Sequence, residues 1–284
     1  MSDATTKRRQ PAATVSGRAP TWLRVTILVV ICGVFLVPLI AMLEFTLRGD
    51  AGYSLEHWTA LFDPENARSY RNLWKGVTNS LLLAVITIVI VWVLFLPTIV
   101  LVHLRFPRLA RAFEFLTIMP IAIPAIVLVV GLAPLYRVIV QVLGGDIWTL
   151  SLAYGILVLP FAYRAIVSEL HGMDAKTLTE AARTLGASWF TVLLRIIVPG
   201  IRRGLTSATL ITAAVVLGEF TVSSLLNRVT LQVALLDVSR SDPWAAVITS
   251  LCSLIVVFVL LFVFASIRPR GERRRKHKEV AANG

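Results

Sequence analysis

Residues 81–102 read LLLAVITIVIVWVLFLPTIVLV, 22 residues that carry no charge and only one proline. As a helix rising 1.5 Å per residue, such a run is about 33 Å long, enough to cross the roughly 30 Å of hydrocarbon in a bilayer. It offers no polar face to water. The bilayer is therefore its expected solvent.

Five further runs of similar character flank it, at 25–43, 115–135, 147–163, 205–226 and 244–267, the fifth-span candidate 205–226 being interrupted by Glu219. Across 284 residues the chain is 57 % hydrophobic and 15 % charged, with a mean hydropathy of +0.79, outside the balance of a water-soluble domain. The expected fold class is all-α, a polytopic membrane protein with six transmembrane helices in residues 22–267. A basic tail, 1–21, expected to be disordered, precedes that domain, and a second basic tail, 268–284, follows it. The first run is not expected to be a cleaved signal peptide, because polar and basic residues precede it and no small-residue cleavage site follows Leu43. Cys32 and Cys252 fall inside expected spans, where a free thiol serves as a small apolar group.

The net charge of +12 raises the question of nucleic acid, which the placement of the basic residues answers. Lys and Arg number five in 1–24, three in 105–114, six in 164–204 and seven in 268–284, whereas all the intervening loops together hold seven. Alternation of this kind orients six spans with both termini in the cytoplasm. No nucleic acid partner is required. The run Arg273, Arg274, Arg275, Lys276 and Lys278 reads as an anchor at the anionic leaflet of the lipid bilayer. Trp22, Trp74, Trp148 and Trp244 fall at span ends, where indoles prefer the headgroup boundary.

Two loops carry local patterns. In residues 53–62, Leu55, Trp58, Leu61 and Phe62 recur at helical spacing, which predicts a short surface helix facing either the membrane or a soluble partner. In the inner loop 164–204, Asp174 is placed to cap a helix over 175–185 and Gly186 to stop it. Leu178, Ala181, Ala182 and Leu185 then fall at i, i+3, i+4 and i+7, an apolar stripe that must be covered by the protein's own inner ends or by a partner.

Residues of an enzyme are missing from the pattern. His57, His103, His171 and His277 are scattered, and HExxH, GxSxG and GxxxxGK[ST] do not occur. The expectation is a chain with no catalytic site, metal or cofactor of its own. Glu219 stands inside an apolar run at a cost of about 2–3 kcal/mol, so a function for it is the first hypothesis. With Thr221, Ser223 and Ser224 it would suit a cationic or amine substrate in a water-filled pathway, or else pair structurally, for instance with Arg228. Pro120 and Pro124, like Pro97, Pro134 and Pro160, free backbone carbonyls and bend helices, which a pathway can use. Tyr136, Asp146 and Trp148 are expected near the outer mouth. Six spans with an intramembrane acid also fit a secondary transporter, although no internal repeat is seen.

Glu180-Ala181-Ala182, three residues, Gly186, nine residues, Ile196, one residue and Val198-Pro199 resemble the EAA signature of ABC importer permeases, with Val198 where leucine is usual. Asn79-Ser80-Leu81, Met119-Pro120, Ile123-Pro124 and Gly131 extend the resemblance over most of the chain. It implies that the loop 174–199 couples to a cytoplasmic ATPase through Asp174, Leu178, Glu180, Ala181, Ala182, Leu185, Gly186, Ala187 and Pro199. It also implies a second permease, expected to be a paralogue, two ATPase subunits that bind ATP and Mg, and an extracytoplasmic substrate-binding protein. The stretches 119–128 and 219–222 resemble spermidine/putrescine-type permeases, so a polyamine is the expected cargo, with iron, thiamine and phosphonate as the alternatives.

Overall fold

A computed structural model describes residues 20–49 and 52–266 of the chain. The expected tails 1–21 and 268–284 lie outside these residues apart from Pro20 and Thr21, as does the last residue of the expected span 244–267. The chain divides into two units, one ending at Phe45 and one beginning at Thr46. The first consists, where described, of helix α1 (Thr21–Leu47) up to Phe45, apolar on every side and carrying Pro38 within it.

In the second unit a two-residue hairpin, β1 (Arg48–Gly49) with β2 (Gly52–Tyr53), leads into α2 (Glu56–Phe62). There follow α3 (Arg71–Ile90), a π-helical turn (Val91–Phe95) and α4 (Leu96–Arg105), which run on as one rod. Helices α5 (Pro107–Ala122), α6 (Ala125–Leu143) and α7 (Leu150–Gly172) come next, then the short α8 (Ala175–Thr184). A second π-helical turn (Leu193–Ile197) joins α9 (Trp189–Val192) to α10 (Val198–Gly200). The chain ends in α11 (Arg202–Gly218), α12 (Thr221–Leu225), α13 (Leu231–Ser241) and α14 (Pro243–Ser266).

Among the described residues, four helical stretches are long and apolar enough to cross a membrane, namely Thr21–Leu47, Arg71–Arg105, Ala125–Leu143 and Ile147–Gly172. They contain the expected runs 25–43, 81–102 and 147–163. The run 244–266 lies within α14. Two expected spans are not continuous. The run 115–135 is cut at Ile123, which is extended (φ −93°, ψ 129°), and Pro124 opens α6. Pro120, Pro134 and Pro160 are absorbed into helices. The Pro124 ring disfavours the helical conformation of the residue before it, and Ile123 takes the extended one, so the helix ends there. The run 205–226 is cut at Glu219, also extended (φ −81°, ψ 125°).

Helix α7 is the hub of the larger core, which joins Leu83, Val91 and Ile99 to Tyr154, Val158 and Ile166, and these to Ile197, Leu205 and Val216. Its crossing with α11 is close because Gly204 has no side chain: a Cβ there would strike the Ala165 carbonyl oxygen and approach Glu169 Cγ to 2.7 Å. A smaller core gathers Leu61, Leu73, Ala234, Val238 and Ile248. Beside it the Tyr70 hydroxyl donates to Asp242 Oδ2 at 2.6 Å, while Asp242 Oδ1 accepts from the Ala245 amide at 3.0 Å and so caps α14. Burial, then the hydrogen bond to Asp242 and its negative charge, push the Tyr70 phenol up to about 12.

Two outcomes follow for stability. Gly204→Ala should destabilise by about 1–3 kcal/mol through overpacking, lowering the unfolding midpoint of the detergent-purified protein. Gly131→Ala, where a Cβ meets nothing within 4 Å, should not. Because the folded-state pKa of Tyr70 is raised, its contribution is complete below pH 10 and is lost as pH climbs toward 12. The ultraviolet tyrosinate titration of the protein minus that of Tyr70→Phe should show a group ionising near 12; a difference curve centred near 10 would refute the arrangement.

Candidate functional site

Two places depart from plain helix packing, the module around α8 and the break between α11 and α12. At the first, Asp174 occupies the position before the helix but in the left-handed conformation (φ 48°, ψ 51°), and its side chain caps nothing. The expected cap is therefore positional only; Asp174 forms the corner after α7, which an L-residue with a short polar side chain tolerates better than most. The stop at Gly186 is made as expected. With φ at 84°, Gly186 donates to the Arg183 carbonyl and Ala187 to the Ala182 carbonyl, both at 3.0 Å, which closes the helix end with paired reverse bonds. Arg183 Nη1 adds a bond to the Ala187 carbonyl at 3.1 Å, and Ser188 Oγ then accepts from the Thr191 amide to start α9.

The expected apolar stripe of this helix is divided. Ala182 and Ala187 pack on the core, beside the buried Ala175 and Thr179. Leu178 and Ala181 face outward, and Leu185 is 88 % exposed. The helix and its exit thus turn Ala175, Ala182 and Ala187 inward and leave Leu178 and Leu185 bare. Phe190, which the sequence reading did not single out as a contact, extends this surface at 68 % exposure. Glu180 is exposed and stands 3.9 Å from Lys176 one turn earlier, a solvated pair of little energetic weight. Pro199 is exposed in α10, next to Gly200, whose missing side chain makes room for Met173 Sδ and Cε at the foot of α7.

At the second place, the half-buried Glu219 turns its carboxylate back onto the chain. Oε1 and Oε2 accept from the Val222 amide at 2.9 and 3.1 Å, and Oε2 from the Ser223 amide at 3.4 Å. The acid thereby satisfies amides that open α12 in a region where water is scarce. Arg228 is engaged elsewhere: Nη1 donates to the Gly145 carbonyl at 2.6 Å, and the guanidinium lies 5.5 Å from the centre of the Tyr136 ring. Ser223 is buried, donating to the Phe220 carbonyl and accepting from Thr230 Oγ1 at 2.9 Å. Thr221 is half-buried and Ser224 exposed. Pro120 and Pro124 bracket the separate break between α5 and α6.

Several residues hold this turn and its surroundings through bonds that the sequence does not indicate. Ser80 Oγ accepts from the Leu231 amide at 2.8 Å, Asn79 Nδ2 donates to the Val229 carbonyl at 2.7 Å, and Gln232 Nε2 donates to the Leu217 carbonyl at 2.9 Å. Tyr136 donates to Thr149 Oγ1, which itself donates to the Asp146 carbonyl. Tyr154 is buried, its hydroxyl beside Glu219 and Ser223. Thr149 within an apolar run, and Asn79 and Ser80 at the head of another, were the available signal.

Known proteins resemble this arrangement in sequence. Over 110 residues the chain is 36 % identical to the spermidine/putrescine transport system permease protein PotC of Haemophilus influenzae, a match covering 39 % of this chain and 42 % of that protein. Over 145 residues it is 28 % identical to the protein of the same name from Escherichia coli K12, covering 50 % and 54 % respectively. The chain thus spans about half the length of the curated relatives it matches. Residues 96–276, more than half of the chain, match a family described as binding-protein-dependent transport system inner membrane component. That stretch takes in both the α8 module and the Glu219 break, and with the long apolar helices it makes this chain a multi-pass member of the binding-protein-dependent transport system inner membrane component family.

Proposed function

We propose that this chain is one permease subunit of an ATP-driven ABC importer, with six spans, both termini in the cytoplasm and a polyamine as cargo. The observation that carries the coupling half of this reading is the bare face of α8: Leu178, Ala181 and Leu185 on a helix fixed at its far end by Gly186. An apolar helix face on a surface held this firmly fits a groove on a partner. The partner is a cytoplasmic ATPase, to which residues 174–199 transmit and from which they receive movement. ATP and Mg are bound by that partner, and this chain carries out no catalysis. A second permease completes the pathway, and an extracytoplasmic binding protein delivers the solute.

For the cargo, the half-helix α11 ends in the membrane with its carbonyl end and Glu219 together, a negative end that suits an ammonium group. Gly218 leaves open space beside this end, since a Cβ there would meet nothing within 4 Å. The names of the matched relatives, spermidine/putrescine permeases, support the same class.

Leu185→Asp should abolish binding-protein-dependent spermidine uptake by vesicles while membrane levels of the protein hold; normal uptake would sink the coupling role. Glu219→Gln keeps an acceptor oxygen for the Val222 amide but removes the charge. It should raise the spermidine concentration needed for half-maximal uptake roughly tenfold, the loss of one charge-assisted contact. An unchanged value would leave Glu219 as a purely structural cap. Uptake that survives ATP depletion with the ion gradient held would point instead to a secondary transporter.

A further inference from the structure

The short helix α2 presents an outward face that neither the transport reading nor the core absorbs. Its inner face is fastened: Trp58 Nε1 donates to Thr46 Oγ1 at 3.2 Å, the His57 ring stacks on Trp244 at 4.6 Å between centroids, and Leu61 is buried. On the opposite side Leu55, Thr59 and Phe62 recur at i, i+4 and i+7, with Leu55 62 % and Phe62 67 % exposed. The Thr59 hydroxyl is spent on the Glu56 carbonyl at 2.9 Å, so only its methyl is offered. The face is apolar throughout.

It is also continuous with a second one. Phe62 packs on Trp74 with ring centroids 5.6 Å apart, and Trp74 heads an exposed stripe of α3 that continues through Thr78, Leu81, Val85 and Val89. Thr78, like Thr59, turns its hydroxyl onto its own helix, at 3.0 Å from the Trp74 carbonyl. A protein-docking surface offers hydrogen-bonding groups at about one per 100–200 Å². This one offers little beyond the Trp74 indole N–H, a group suited to the headgroup boundary, and its remainder suits hydrocarbon. Arg71 and Lys75, exposed on either side of Trp74 in sequence, supply cations where lipid phosphates lie. The acidic residues at its edge are held locally, Glu56 by Ser54 Oγ and Asp63 by the Glu65 amide.

We propose that α2 is an interfacial helix whose Leu55–Thr59–Phe62 face, together with Trp74, rests in the headgroup–acyl boundary of the lipid bilayer and sets the depth of α3. The inference holds whatever the cargo. Its test uses the full chain with Cys32 and Cys252 replaced by Ala, bearing Phe62→Cys or Leu55→Cys, nitroxide-labelled and placed in phospholipid nanodiscs with its co-purified subunits. Ala67, exposed in the loop before α3, serves as the aqueous control. Oxygen should relax the label more than a water-soluble nickel chelate does at 55 and 62, with the order reversed at 67. Nickel dominance at 55 and 62 would overturn the proposal by showing the face in water. Protection from both reagents would overturn it equally by showing that a protein covers the face.

Discussion

Within hydrocarbon a backbone amide or carbonyl has no water to fall back on, and each one left unpaired costs several kcal/mol. Continuous helices meet that demand by themselves. The structure is organised by what happens where helices stop. At the α11–α12 break the amides are taken by the Glu219 carboxylate and the Leu217 carbonyl by Gln232; in the turn that follows, the Leu231 amide is taken by Ser80 and the Val229 carbonyl by Asn79. Two side chains from α3 and one from α13 thus do for the break and the turn what water does for a surface loop. The polar residues of the apolar runs are concentrated where the backbone needs them.

This also explains the double character of Glu219. An ionised group in the membrane is tolerated when backbone donors face it, and two amides of α12 do so here. The same arrangement that makes the acid affordable keeps a negative charge beside the carbonyl end of α11. Structural and substrate-facing roles, opposed when only the sequence was considered, are compatible in one group.

Runs of apolar residues revealed the helices, and the four that stay unbroken from 25, 81, 147 and 244 onward needed no more than that. Hydropathy was blind to the cuts at Ile123 and Glu219, because the residues on both sides are as apolar as a continuous span requires. Those cuts are decided by the backbone, through the restriction that Pro124 places on Ile123 and a carboxylate that competes for amides. The glycine stop after α8 was legible because only glycine readily takes φ near 84°. Which side of α8 would be bare was not. Alanines lie on both sides, and the packed side was settled by the room left between α7 and the π-helical turn rather than by hydrophobicity. The hydroxyls and amides that brace the 226–231 turn come from positions about 150 residues apart, as with Asn79 and Val229, a distance that local patterns do not bridge.

The contact at Gly204 has a mechanical meaning. Where a backbone carbonyl of α7 sits against a glycine of α11, the two helices have no compressible layer of side chains between them and move as one beam. Helix α7 ends at the corner that begins α8, and α11 ends at Glu219, roughly 24 Å from Arg202 at 1.5 Å per residue. A tilt of ten degrees or so about the α8 end of that beam would sweep the acid through roughly 4 Å, about the size of an ammonium group. A displacement too small to break any helix at the α8 end of the beam is thereby one of several ångströms at Glu219.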